Sequence, residues 1–592
     1  MLVFDFETEG IEGNPVVRPP RPVGCAFKRP GFKSYYLTDM AKIAAKLRQH
    51  IDAGDEFLCH NGKFDWSVAR THLGIEMPEP IDCHDTMFQL FLADPYAVSF
   101  SLKPSAERIL GWPPEEQDAV RDWVLAHVPE ATTKNWGAYI CFAPVEIVGP
   151  YACGDVDRTL ALYQHLKDRV PLVPYQREQK LLPVLMESER RGVRLDQERL
   201  EKDTAELEGS LETSGNLVRE LLGCGPSVNL DSGRELADAL DAAGMVETWP
   251  LTPTGRRSTA REALLSAVTN PELSRLLAYR GALAHCLSQF GRKWVEFGKT
   301  FNGRMHPEWN QVRQMAEGGD TKGARTGRLS CGKPSFQNTP NEYDLEIPAG
   351  LSPLPKLREY ILPDKGMVWL KRDYSQQELR ILAHFSEGRL YQRYVENPKI
   401  DAHVETSKLI AEHTGVERLR KHVKITGFSI IYGSGIGGLA DQLGVSYAEG
   451  KDMRDAYFTA LPEVPVLMKA CSQKGKRGEA IKTWGGREYL TEPPRMGKYG
   501  RMMSFEYKLL NYLIQGSGGD CTKESIVRWG EDRGNGEFLA TVHDENNIQA
   551  PKESWKEDMG KLRQAMEGIE FDVKMLSDGF VGKSWQDLKE CK

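Results

Sequence analysis

The sequence predicts a multidomain protein of mixed α/β and α+β class, and three observations predict it. Its 592 residues exceed one ordinary domain. Residues 1–170 alternate short apolar strands with helical stretches, the pattern of an α/β unit. A charged, amphipathic region over about 176–300 then reads as helices, and strands and helices mix again from 301 onward. Pro171-Leu172-Val173-Pro174 is the candidate joint between the first unit and the rest. Apolar residues make up 40% of the chain, enough for packed cores. No internal repeat or low-complexity segment interrupts this plan.

Composition excludes several classes. No apolar run approaches the ~18–20 residues that span a bilayer. The N-terminus MLVFDFETEG lacks a basic stretch before its apolar residues, which argues against a secretory signal. The expectation is a soluble cytoplasmic protein without a membrane partner. The 11 cysteines form no CxxC pair. Cys59-His60 and Cys83-His84 have poor spacing for zinc, and buried free thiols account for them better. A net charge of −7 means that any nucleic acid must be held by local basic stripes, not bulk charge.

Val3-Phe4-Asp5-Phe6-Glu7 alternates as a strand does, so Asp5 and Glu7 share one face while Phe4 and Phe6 face the core. Paired carboxylates repel unless a cation lies between them; alone, a charged edge strand explains the pair equally well. His60-Asn61-Gly62-Lys63-Phe64-Asp65 places an acid after a loop. Pro150-Tyr151-Ala152-Cys153-Gly154-Asp155 reads as a helix opening at proline, with Tyr151 and Asp155 on one face. There Asp155 could simply complement the helix dipole. Beyond the joint, Leu182, Leu185 and Met186 share a helix face and Gly192 stops the helix.

Val368–Asp373–Tyr374 reads as a strand with Asp373 at its end, followed by a helix from Ser375. Ser375 and Glu378 fit a capping box, a sufficient local reason for both residues. Arg420, Lys424, Phe428 and Tyr432 recur every four residues and form one helix stripe. Two cations continued by two rings suit a nucleotide: charge for phosphates, π-surface for a base. Gly433–Gly438 satisfies GxGxxG but follows a helix, so it is no dinucleotide fingerprint. Phe538–Val542 reads as another strand that turns at His543, Asp544 and Glu545.

These segments carry two resemblances. Asp5 and Glu7, then Asp65, then Tyr151 and Asp155, resemble the four acids and tyrosine of the proofreading 3′→5′ exonucleases, all five in order. The resemblance implies a ribonuclease H-like exonuclease domain over 1–170, an active nuclease, and two Mg²⁺ or Mn²⁺ ions held by these acids, with Tyr151 orienting the attacking water. DYSQQELRILAHF, RKHVKITGFSIIYG and VHDE are similar to motifs A, B and C of the family A DNA polymerases. Ala324–Ser330 with Phe336–Pro340, Asn511–Gly516, Thr483–Tyr489 and Gly582–Trp585 resemble further segments of that family.

The second resemblance implies a right-hand polymerase domain over 171–592: thumb about 176–300, palm about 301–388 and 505–592, fingers about 389–504. It implies primer-dependent DNA synthesis by a monomer, with primer–template DNA and deoxynucleoside triphosphates as partners. Asp373 and Asp544 would bridge two Mg²⁺ ions, Mn²⁺ being a substitute, with Glu545 a secondary ligand or orienter. Arg420, Lys424, Phe428, Tyr432, Glu378 and His403 would bind the nucleotide. Lys424 would donate a proton to pyrophosphate, and Glu378 would occupy the space of a ribose 2′-hydroxyl. Arg328, Gln337, Asn338, Asn511, Gln515 and His543 would contact DNA. Phe428 implies discrimination against dideoxynucleotides.

Three departures from the family pattern stand out. Tyr507 stands where an arginine is usual, so a minor-groove contact is in question. Asn546 and Asn547 replace apolar residues after Glu545, so strand packing is in question. No 5′-nuclease domain is expected before Asp5, as in phage-encoded relatives, and no long insertion for a processivity factor is seen in 176–300. A helicase or other accessory partner is not specified. The rival readings are a single-subunit RNA polymerase, opposed by Glu378 and the nuclease motifs, a degenerate DNA-binding polymerase, opposed by intact Asp373, Asp544 and Lys424, and a nuclease whose C-terminal part only binds DNA.

Overall fold

Alternation of apolar residues builds the first sheet. The computed structural model describes all residues except 253, 316–320, 498–499 and 592. β1 (Leu2–Thr8), β2 (Pro22–Lys28), β3 (Tyr35–Leu37), β4 (Phe57–Cys59) and β5 (Cys83–Asp85) lie in the order β3-β2-β1-β4-β5. β2 is antiparallel to β1, whereas β4 runs parallel to both β1 and β5. Phe4 and Phe57 meet Trp66 of helix Gly62–Leu73 edge-on, at 5.0 and 5.3 Å between ring centres. Val3, Ala26 and Leu58 turn the other way, onto Ala152, Val156 and Leu160 of helix Val145–Leu166. Burial on both faces fixes the register, because a slip of one residue would exchange the two sets.

The Val145–Leu166 helix corrects one expectation. Pro150 lies inside it and Asp155 in its middle, so Asp155 does not serve the dipole of a helix start. The missing proline N–H costs a bond, but a buried face packed on the sheet holds the helix together. The next helix, Leu172–Arg191, carries Pro171 at its N-cap and ends at Gly192, whose φ of 63° favours glycine. Leu182 and Met186 join the core of the first unit, but Leu185, with Leu181, joins the core of the second. The expected single apolar face is therefore two faces, and the helix cements both halves.

The second large sheet is antiparallel. β6 (Met367–Tyr374), β7 (Glu537–Val542), β8 (Glu545–Pro551), β9 (Ser577–Gly582) and β10 (Leu588–Cys591) take the order β7-β8-β6-β9-β10. Asn546 and Asn547 are buried in β8: Asn546 Nδ2 donates to Ser525 Oγ at 2.9 Å while its Oδ1 has no partner among the described residues, and Asn547 bonds Trp369 and Glu545. Asn547 fits there because a buried amide costs little once both its ends are paired.

A buried ionic hub joins the Leu172–Arg191 helix to helix Leu509–Glu531. Glu178 accepts from Lys523 Nζ at 2.6 Å and from Arg487, while Arg487 Nε reaches Asp520 Oδ1 at 2.7 Å. Thr483 Oγ1 donates to the other Asp520 oxygen at 2.6 Å. Gly485 permits this approach, since a Cβ there would stand 2.4 Å from Asp520 Cβ. The Thr483–Tyr489 segment thus acts as a brace in this fold. Among the described residues no helix is long and apolar enough to cross a membrane.

Candidate active sites

The first site gathers three acids. One oxygen from each of Asp5, Glu7 and Asp155 lies within 4.8 Å of the others. Strand alternation aims the first two, and the Val145–Leu166 helix delivers the third. Burial and the charge of Asp155 push the Asp5 carboxyl up to about 7; burial and Asp5 hold Glu7 well above the ordinary carboxylate range. Hard oxygen donors crowded at such a cost fit a divalent cation.

Part of the missing positive charge comes from a residue the motifs do not include. Lys103 Nζ lies 2.6 Å from Asp155 Oδ2 and 4.0 Å from the centre of the Tyr151 ring. The other oxygen of Asp155 is buried with no hydrogen-bond donor among the described residues, and Arg158 stands 3.8 Å off. Tyr151 lies one turn before Asp155, and burial with that neighbouring charge keeps it a neutral phenol.

Asp65 stands behind the trio. It sits in the first turn of helix Gly62–Leu73, and its Oδ1 accepts from the Phe6 N–H at 2.9 Å. β4 flanks β1 only at Leu2 and Val3, so Asp65 satisfies backbone that β4 leaves free. Burial and Asp5 raise its carboxyl as well. His60 and His84 turn to Thr86 and Tyr175 at 2.8 and 3.2 Å, away from a shared centre with the buried Cys59 and Cys83.

The second site lies at the tip of the second sheet. Asp373 is the penultimate residue of β6, and Asp544 sits in the two-residue turn His543-Asp544 between β7 and β8. His543 takes a φ of 59°, and Tyr374 N–H donates to Asp544 O at 3.2 Å, which ties the turn to β6. Burial, Asp544 and Glu545 push the Asp373 carboxyl up to about 7. Asp544 is raised too, first by burial. Two carboxyls raised in this way suit a cation between them.

Facing Asp544 across a cavity of about 420 Å³ are Arg420, Lys424, Phe428, Tyr432, His403 and Glu378. Helix Arg420–Ile431 presents the stripe, with Tyr432 as its C-cap residue, so the last ring stands just past the helix end. Phe428 and Tyr432 stack at 5.9 Å, and His403 stands 5.9 Å from Phe428. Burial pushes His403 down to about 4, leaving it neutral at pH 7. Arg420 donates twice to Asp401 Oδ2, at 2.9 and 2.6 Å.

The expected capping box does not form. Helix Gln377–Ser386 starts after Gln376, whose φ is 59°, and no side chain caps it. Ser375 Oγ turns to Asp578 Oδ2 at 2.6 Å instead. Glu378 is thereby released into the cavity. Arg328 Nη2 reaches its Oε1 at 2.5 Å, and Tyr432 OH donates to its Oε2 at 3.2 Å.

Of the other expected DNA contacts, Gln337 spends its amide on Leu329 O and Cys331 N. Asn338 is exposed beside it. Asn511 and Gln515 lie on helix Leu509–Glu531, the first with a buried oxygen that has no donor. Tyr507 packs by Gly433, where the left-handed φ of 72° favours glycine and a Cβ would stand 3.0 Å from the Tyr507 ring. Lys371, two residues before Asp373 on the same strand face, was missed by motif reading; strand alternation alone would have found it.

Residues 197–587 match the profile of DNA polymerase family A. The chain is 26% identical to the DNA polymerase DpoZ of Salmonella phage PMBT28 over 92% of its own length and 90% of that protein. It is 28% identical to the thermostable DNA polymerase I of Thermus filiformis, over 72% of its length but 50% of that larger enzyme. Its fold is similar to the POL domain of Pol1 from M. smegmatis, solved in complex with DNA primer-template and dNTP: the TM-score is 0.76 at 22% identity, covering 99% of this chain and 95% of that one.

Proposed function

The chain belongs to DNA polymerase family A, and from that premise we propose that it extends a primer on a DNA template and proofreads with a separate 3′→5′ exonuclease site. One observation carries the polymerase reading. The stripe Arg420, Lys424, Phe428 and Tyr432 faces Asp544 and Glu378 across one cavity of about 420 Å³. A triphosphate held by the cations would bring its α-phosphate toward the acids while its base lies on the rings.

The donor sets fit divalent cations such as Mg²⁺, held by Asp373 and Asp544 at one site and by Asp5, Glu7 and Asp155 at the other. When bound, such ions would make the attacking oxygen more acidic and stabilise the leaving group. The side chains do the rest. Arg420 and Lys424 neutralise the triphosphate, and Lys424 can donate a proton to departing pyrophosphate. Neutral His403 can donate one hydrogen bond to a phosphate without adding charge. Glu378, pinned between Arg328 and Tyr432, fills the space a 2′-hydroxyl would need. Tyr151 orients water at the nuclease acids, with Asp65 steadying β1 from behind.

In this reading 1–170 is the ribonuclease H-like exonuclease domain and 171–592 the polymerase domain. The thumb spans about 176–300, the palm about 301–388 and 505–592, and the fingers about 389–504. The sheet order β3-β2-β1-β4-β5, with β2 antiparallel to β1, supports the first assignment. The test is pyrophosphate release on a primer–template with Mg²⁺. Release with deoxynucleotides, and at least about tenfold less with ribonucleotides, is the expected result. No release on a good primer–template would refute the polymerase reading.

A further inference from the structure

The Glu545 carboxylate has both oxygens engaged. Oε1 accepts from Trp585 Nε1 at 3.0 Å and from Asn547 Nδ2 at 2.8 Å. Oε2 pairs with Lys371 Nζ at 2.7 Å. The amide oxygen of Asn547 in turn accepts from Trp369 Nε1 at 2.8 Å. Trp369, Trp585 and Asn547 are buried, and the two indoles stack with centres 5.9 Å apart. A carboxylate so enclosed has one orientation, because turning it would strand two indole or amide donors without acceptors.

Strand register explains why a lysine is there. Asp373 of β6 lies opposite Glu545 of β8, and Lys371 lies opposite Asn547. Directly opposed like charges on neighbouring strands repel. Lys371, on the same face as Asp373, places its ammonium 3.8 Å from Asp373 Oδ2 as well as on Glu545. It also lies 5.3 Å from the centre of the Phe580 ring, across the β6–β9 pairing. The ammonium is thus fixed from two sides rather than free to follow solvent.

On the reading of Asp373 and Asp544 as the metal-binding acids of the polymerase, we infer that Lys371 is a positioning residue that withholds Glu545 from the ions. Held by Lys371, Trp585 and Asn547, Glu545 is an anchor and not a ligand. The ligand set is then the two aspartates alone. Removing the ammonium frees a third carboxylate oxygen directly across from Asp373. The site would gain negative charge and bind a divalent ion more tightly, with an acid added to the two that the reaction uses.

The test uses the full chain carrying Asp5→Ala and Glu7→Ala, so that the nuclease acids take no ion. Mn²⁺ binding is read from the electron-paramagnetic signal of the free ion, and primer extension from gels. Lys371→Met is expected to tighten Mn²⁺ binding at the site removed by Asp373→Asn by about tenfold, while extension slows. Lys371→Arg should keep the parent affinity. In a Glu545→Gln chain, Lys371→Met should give a clearly smaller gain, since only the direct repulsion from an ammonium 3.8 Å from Asp373 is then relieved; a lysine acting on the ions by its charge alone would give the same gain in both chains. Unchanged or weaker Mn²⁺ binding by Lys371→Met, or the same gain in the Glu545→Gln chain, would overturn the inference. If no bound Mn²⁺ is lost with Asp373→Asn, the reading of the polymerase site falls, and this inference with it.

Discussion

At the N-terminal acids a lysine ammonium lies on one of the acids themselves, whereas at the C-terminal pair it lies on their neighbour. Lys103 is 2.6 Å from Asp155, a member of the trio. Lys371 is 2.7 Å from Glu545 and 3.8 Å from Asp373. The first cluster is enclosed, with Asp155 and Glu7 buried; the second opens onto the cavity that the Arg420 stripe lines. In an enclosed trio without ions, repulsion is relieved by protons on the raised acids and by a cation in contact. An open pair can share its charge with solvent and with a triphosphate, so its lysine is free to manage a neighbour. On the proposed reading the two sites would therefore demand different things of an arriving ion: displacement of Lys103 at one, simple capture at the other.

Four changes break or sharpen this comparison, the last of them a separation of the two sites. Lys424→Ala removes a cation of the nucleotide stripe and touches nothing at the N-terminal acids. Extension should fall by about 10²–10³-fold while degradation from the 3′ end keeps its rate; equal losses in both assays would merge the two sites. Lys103→Met should have a smaller effect, confined to the other site. With no ammonium to displace, the Mn²⁺ concentration for half-maximal degradation should drop by about tenfold, and a rise would mean that the lysine assists the ion instead.

The smallest effect is on stability. Asp5 and Asp373 are both raised to about 7 from 3.8. The unfolded chain releases these protons at lower pH, so their contribution is present in full below about pH 4 and is lost as pH rises through about 7. In chelator, the melting temperature of an Asp5→Asn, Asp373→Asn chain minus that of the parent should grow between pH 5 and pH 8. A constant difference would contradict the repulsion assigned to both sites.

Much of this was legible in the sequence. Side chains two apart on a strand or four apart on a helix must share a face, so Asp5 with Glu7, Tyr151 with Asp155, and the Arg420–Tyr432 stripe needed no tertiary information. The capping box failed because it rested on where a helix starts, and the left-handed Gln376 moved that start past Ser375. Leu185 parted from Leu182 because periodicity names a face but not the core that covers it. Lys103 and Glu178 were invisible for a deeper reason. Their partners lie 52 residues and, for Lys523, 345 residues away along the chain, and no local spacing encodes such a meeting.

The most direct test separates the two sites in one preparation. Asp373→Ala and the pair Asp5→Ala with Glu7→Ala are assayed for primer extension and for degradation from the 3′ end. The account predicts that Asp373→Ala loses extension by at least about 10²-fold and keeps degradation, and that the nuclease pair does the reverse. Loss of both activities in either chain would contradict it.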